Sequence, residues 1–282
     1  MWLATRCHIP LLTPERRQMR WDTGYMPGVR ITQGADLRFP PGAIRISIND
    51  EGQPVLEPVV PHLRTDMWPQ WLMEAVEAAQ SARMAEAEVS RLAGESVRDE
   101  EALDVAMSAE LRASMRTITA SAFAIDAFYA SIKARSPAHP DADKWSAHRT
   151  PRYAQVFEMV RFSLKLKEPG ALEIRNRIKE MFRFRDWAVH PGSRFREPIY
   201  REDVDSGVDW HFAAFRKDNA VRGVAKTMSM MDALVEQIPR GCEELSQTYP
   251  SARRALDMIL AAYDAAGLPG FDRARPVPHD PE

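Results

Sequence analysis

An arginine and a histidine stand five residues apart in Arg183-Phe-Arg-Asp-Trp-Ala-Val-His-Pro-Gly192. The guanidinium of Arg185 keeps its proton in a protein and can hold a phosphate through two parallel hydrogen bonds. The imidazole of His190, with an ordinary pKa near ~6.5, takes or gives a proton at neutral pH. Together they supply what phosphodiester chemistry needs without a metal: an anchor for the phosphate and a proton carrier. Asp186 between them can orient either group or simply face solvent.

The element carrying this pair reads as a helix from Ala171 to about Val189, after the break at Pro169-Gly170. On a wheel centred on Ile178, Ile174, Phe182 and Val189 fall within about 40°, Met181 at about 60° and Arg185 at about 20°. Arg185 therefore lies on the core-facing stripe, where a charge is costly unless an acidic or phosphate partner answers it. Pro191 disfavours helical geometry at His190, so the histidine is expected at the helix end, able to swing back beside Arg185. A second reading stays open, in which both residues only answer the last carbonyls of the helix.

Charge sets this region apart. The 282 residues carry 38 Lys/Arg against 40 Asp/Glu, yet Arg149 to Arg201 holds 13 against 6, or +7, leaving 25 against 34, or −9, elsewhere. An anionic partner is expected there. Arg175, Arg177, Lys179, Arg183, Arg194 and Arg196 are the candidate phosphate contacts, against the alternative of solvated helix faces. Trp187, opposite the core stripe, either stacks on a base or packs against another element or subunit.

Around this helix, proline divides the chain. Eight of 21 prolines precede residue 62 and none falls between Gln70 and Ser136. The front carries an apolar alternation from Ile44 through Asn49, a turn at Asp50-Glu51-Gly52 and Val55, Leu56, Val59 and Val60 beyond, which reads as a β-hairpin. Helices are expected from Asp66 to Leu92, stopped by Gly94, and from Val97 to Ala134. In the second, Leu111, Met115, Ile118, Ala122, Ile125, Tyr129 and Ile132 form one stripe. Another helix opens at Thr150-Pro151. Asp205-Ser206-Gly207 reads as the turn of a second hairpin, with Val208 to Phe212 as its return strand. Two helices follow, near 219–238 and 251–266. The organisation expected is a β-containing extension over 1–62, a helical domain over 63–266 with a hairpin near 197–216, and a flexible tail over 267–282.

Arg185-Asp186-Trp187-Ala188-Val189-His190, followed by Pro191-Gly192, resembles the Arg-polar-x3-His hallmark of the HEPN (higher eukaryotes and prokaryotes nucleotide-binding) domains. Its place in the last core helix of a bundle, after a long helix ending in Ala122-Phe-Ala-Ile-Asp-Ala-Phe-Tyr129, is also similar to that family. This chain carries Asp186 where asparagine is more usual, and Pro191 directly after the histidine. The resemblance implies a mainly α, HEPN-like helical bundle acting as a metal-independent endoribonuclease, often a homodimer, in a toxin or defence setting with a possible antitoxin or other protein regulator. Arg185 would hold the scissile phosphate and His190 would serve as base or acid, with RNA the substrate and no cofactor. The alternative is a non-catalytic dimeric module binding nucleic acid, a nucleotide or a protein.

Other chemistries find little footing. Cys7 and Cys242 are too few for a disulfide framework or a cysteine zinc site. His139 and His148, among Asp141 and Asp143, match no compact ligand spacing, so no metal is expected. Asp126, beside the core stripe, either supports the site or is solvated. Walker, Gly-x-Ser-x-Gly and His-Glu-x-x-His motifs do not occur. No run of about 18 apolar residues occurs, and Arg6, Pro10, Pro14, Arg16 and Arg17 do not form a secretory leader, so no membrane partner and a cytoplasmic location are expected.

Overall fold

The computed structural model describes residues 35–39, 41–56, 61–189, 195–271 and 273. It is mainly helical, 65% helix against 8% strand, with small antiparallel sheets. In chain order the elements are β1 (Ala35–Arg38), β2 (Ile46–Ile48), β3 (Pro54–Leu56), β4 (His62–Thr65), α1 (Trp68–Ala93), α2 (Glu100–Arg135) and α3 (Lys144–Ala147). There follow α4 (Arg152–Ser163), α5 (Gly170–Val189), β5 (Ile199–Arg201), β6 (Ser206–Val208), α6 (Trp210–Ala214), α7 (Lys217–Val235), α8 (Glu243–Ser246) and α9 (Tyr249–Ala265).

α2 is the mast of the bundle, 36 residues and so about 54 Å long. Asp99 caps it, its carboxylate accepting the Ala102 N–H at 3.0 Å, and Glu100 and Glu101 sit where the helix dipole favours negative charge. Its expected stripe is the core: Ile118, Ala122, Ile125, Tyr129 and Ile132 are buried, with Leu111 and Met115 packed at the margin. α1 buries Ala75, Ala78, Ala79 and Ala82, small side chains that let it lie close along α2. α4, α5 and α7 pack on the remaining sides of α2, and α9 joins α1 and α7.

Several boundaries differ from those expected. Asp66 does not cap α1, because its carboxylate takes two 2.9 Å hydrogen bonds from the buried Arg135 at the far end of α2. The predicted front hairpin forms as β2 and β3, with Ile46 opposite Leu56, but Ile44, Ile46, Ile48 and Leu56 are exposed. Alternation there sets the strand without marking a buried face. β1 pairs with β4, Ala35 opposite Thr65, a pairing that short segments separated by irregular chain did not announce. Val59 and Val60 lie outside the described residues. The packed body runs on past α9, for Leu268 is buried and the Tyr263 hydroxyl donates to the Pro269 carbonyl at 2.8 Å.

The second hairpin forms between β5 and β6, but it turns over 202–205, with Asp205 at φ 50°, rather than at Asp205-Ser206-Gly207. Beyond Val208 the expected strand gives way to α6. Asp209 decides this by accepting the His211 N–H at 2.9 Å, a helix cap that outweighs the apolar-polar alternation. The hairpin is bolted to α2 through a buried ion cluster. Arg201 reaches Asp203 at 2.6 Å, Glu110 of α2 at 3.0 Å and the Phe212 carbonyl at 3.2 Å. The other Glu110 oxygen accepts the Lys217 N–H at 2.9 Å and so also caps α7.

Candidate functional site

α5 carries the candidate residues because Ala171, Ile178, Met181 and Phe182 anchor it in the core. Salt links tie it down further: Lys226 of α7 binds Glu180 at 2.9 Å, and Arg177 spans Glu173 and the Lys226 carbonyl. The core ends a turn before the helix does. Val189, expected on the buried stripe, is 54% exposed. Arg185 falls at this transition, its side chain 20% exposed.

The partner that Arg185 requires is its own neighbour. Its Nε and Nη2 donate to Asp186 Oδ1 at 3.1 and 2.8 Å, and its guanidinium lies 4.4 Å from the centre of the Phe182 ring. Asp186 is itself 56% exposed, so this ion pair stands at the surface and is weak enough for another anion to displace. Among the described residues Nη1 of Arg185 makes no hydrogen bond, leaving one edge of the fork for a phosphate. His190, Pro191, Gly192 and Arg194 lie outside the described residues.

The other candidates do not gather around Arg185. Arg175, Lys179 and Arg183 are exposed and recur at four-residue intervals, so they share one side of α5 within about 80°. Lys179 lies 5.7 Å over the Tyr153 ring of α4, and Arg183 lies 4.5 Å over Trp187. Arg183 and Trp187 are each about 160° around the helix from Arg185. Arg177 is committed to Glu173 and to α7, so it is a structural cation in this fold. Asp126, too, is committed, accepting from Arg152 at 2.5 Å.

Trp187 packs on elements of its own chain. Its ring meets Phe184 edge-on at 5.1 Å and Trp210, the first residue of α6, at 6.0 Å. Arg196 lies 4.7 Å over the Trp210 ring, mirroring Arg183 over Trp187. Two tryptophans in edge-to-face contact thus carry an arginine each, and Phe195 beside Arg196 is fully exposed. Sequence reasoning missed Trp210 because Val208 to Phe212 reads as a strand. The signal that finds it is Asp209-Trp210-His211, a capping residue ahead of aromatic rings.

His211 lies against Trp210 with ring centres 3.9 Å apart and the planes tilted by 32°, and its Nδ1 donates to Asp209 at 2.5 Å. The His211 backbone N–H, the strongest influence, together with its ring holds the Asp209 carboxyl below the usual carboxylate range, against a smaller effect of burial. Nε2 of His211 is shielded and has no partner among the described residues, so this histidine positions Trp210 and offers no open base. Among the described residues no group of three His, Cys, Asp or Glu side chains is arranged to hold a metal ion, and no helix is long and apolar enough to cross a membrane. His139 packs against Trp145 and Phe162.

Comparison with protein-family models, with curated proteins and with solved structures finds no match to this chain.

Proposed function

We propose that this protein is a metal-independent endoribonuclease of HEPN-like type, with Arg185 holding the scissile phosphate and His190 carrying a proton. The observation that supports it is the state of Arg185: half-sheltered at the end of α5, braced by Phe182, oriented by a displaceable Asp186, and with one edge unbonded. A guanidinium fixed in this way loses little freedom when a phosphate arrives and is ready for charge that grows in the transition state.

In the reaction the ribose 2′-oxygen attacks the adjacent phosphorus, forming the O2′–P bond while the P–O5′ bond breaks. One proton leaves the 2′-hydroxyl and one reaches the departing 5′-oxygen. His190 takes the first or gives the second, and water completes the exchange. The products are a 2′,3′-cyclic phosphate and a 5′-hydroxyl, so DNA is not cut. Asp186 steers Arg185 between cycles and yields its place to the phosphate. A second copy of the chain would bring a second Arg/His pair beside the first, as the resemblance implies.

One observation favours a second reading. The exposed cations Arg175, Lys179 and Arg183 stand about 80°, 120° and 160° around α5 from Arg185, a row turning away from it, as expected of a module that binds nucleic acid without cutting it. Incubating purified protein with a mixed single-stranded RNA in EDTA separates the readings. Cleavage leaving cyclic phosphate ends, lost in folded Arg185→Ala and His190→Ala proteins, is the expected result. Intact RNA with all three proteins would leave the binding module.

A further inference from the structure

The surface opposite Arg185 has a composition of its own. Arg183 over Trp187 and Arg196 over Trp210 set two guanidinium groups on aromatic rings, 4.5 and 4.7 Å from the ring centres, with the two rings in edge-to-face contact 6.0 Å apart. Arg183 and Arg196 are exposed, and among the described residues neither is within ion-pairing distance of a carboxylate, whereas Arg152, Arg161, Arg177 and Arg185 of the same basic segment each are. Phe195, adjoining Arg196, presents its whole ring to solvent. Trp210 is held in place by the Asp209 cap and by His211 tilted against it.

An arginine laid on an aromatic ring keeps its outer face for stacking and its N–H edge for hydrogen bonding. Nucleobases stack on such planes and on phenylalanine, while the edge donors meet backbone phosphates. Arg175 and Lys179 extend the row, and twelve residues of helix from Arg175 to Trp187 set about 18 Å of cationic track leading to the stack. Bases paired inside a duplex cannot offer their faces to it. We propose that Arg183, Arg196 and Phe195, with the two arginines seated on Trp187 and Trp210, form a stacking platform for unpaired nucleobases, which binds single-stranded RNA with little sequence preference. This rests on the reading of RNA as the substrate and assigns the unpaired bases a place on the far side of α5 from Arg185.

The test is fluorescence anisotropy of the full chain with a labelled 12-nucleotide 2′-O-methyl RNA, a probe that the 2′-hydroxyl reaction cannot cut, alongside the same strand annealed to its complement. The single strand should bind at least tenfold more tightly than the duplex. Phe195→Ala should weaken single-strand binding by about 5- to 100-fold. Arg183→Lys and Arg196→Lys, which keep the charge and lose the plane, should each also erase part of the preference for unpaired strands. These three positions are exposed, so the variants remain informative even if Trp187→Ala does not fold. Equal affinity for strand and duplex, or single-strand binding unchanged in all three variants, overturns the platform. Self-association of the wild type that Phe195→Ala abolishes, with no RNA bound, assigns the surface to a protein contact and also overturns it. Because the probe resists cleavage, binding without any RNA cutting retires the nuclease and keeps the platform, and cutting without a single-strand preference does the reverse.

Discussion

Arg201 on one side and Arg183 with Arg196 on the other, all within nineteen residues of sequence, use the same chemistry to opposite ends. Arg201 is 2% exposed, and Nε, Nη1 and Nη2 are all engaged, by Asp203, the Phe212 carbonyl and Glu110. Burial alone would lower its pKa, yet the carboxylates of Asp203 and Glu110 hold it above the ordinary arginine value. Arg183 and Arg196 meet aromatic rings in place of carboxylates and remain exposed. A guanidinium saturated by carboxylates has nothing left to offer a ligand. One supported from beneath by an indole is held in position with its donors unspent, and that difference separates a structural cation from a binding one.

The comparison breaks most visibly at its buried end. Replacing Glu110 by Ala removes one of the two carboxylates answering a buried guanidinium and the acceptor at the start of α7, and should destabilise the protein by about 3–5 kcal/mol. The check is urea unfolding, with the midpoint falling while the slope holds. Glu110→Gln keeps an acceptor for Lys217 but not the charge, and should cost less. No comparable loss of stability is expected from Arg183→Ala or Arg196→Ala, whose exposed side chains answer no buried charge.

Arg185 sits between these extremes, and its substitution sharpens the contrast through activity. Under the nuclease reading, Arg185→Ala should reduce the rate of cyclic-phosphate formation about 10²- to 10³-fold, the scale on which loss of one donor to developing charge is felt. Its urea midpoint should move little, since the ion pair lost is a surface one. A large fall in stability with a matching fall in activity would place Arg185 with Arg201.

Much of the bundle was legible because helical periodicity reports burial directly. The stripe through Ile118, Ile125 and Ile132, the stop at Gly94 and the span of α5 are as expected. What escaped was decided by single polar contacts between distant residues. Asp66 looked like a cap but answers Arg135, 69 residues away, and Asp209 turned a strand pattern into α6. At the site, spacing placed Arg185 on the core-facing stripe and predicted its need of a partner, which is Asp186, but not that the core ends before the helix does, leaving Val189 exposed. The wheel also set Trp187 opposite the core. It was silent on Trp210, which meets Trp187 edge-on from another element and adds Arg196 to a row of surface arginines.

Salt offers a gentler probe of the open cluster. Each phosphate contact released by mutation should lower the slope of log affinity against log salt by about 0.7 for a single strand. Arg175→Ala and Arg183→Ala should each do so, while Arg177→Ala, at a cation held both by Glu173 and by the Lys226 carbonyl of α7, should leave the slope as it is. Oligonucleotide titrations across a salt series read this directly, and a slope change at Arg177 equal to that at Arg183 would erase the distinction between the two kinds of arginine.

The smallest effect belongs to acid. Burial pushes the Asp203 carboxyl upward, but hydrogen bonds and charge from Arg201, with Arg216 at 3.0 Å, outweigh it and leave the group below its ordinary value. A carboxyl whose folded pKa is depressed contributes stability that is fully present above its unfolded value, about 3.9, and lost as pH falls through the lower folded one. The melting temperature should therefore hold from neutrality to about pH 4 and fall below it, with part of that fall missing in Asp203→Asn. The stacking platform contains no carboxylate, so Arg196→Ala should leave the acid limb of the melting curve superimposed on that of the unaltered protein. Scanning calorimetry between about pH 2.5 and pH 7 compares the three proteins, and an acid limb in Asp203→Asn identical to the wild type would show that the sealed cluster is not where acid acts.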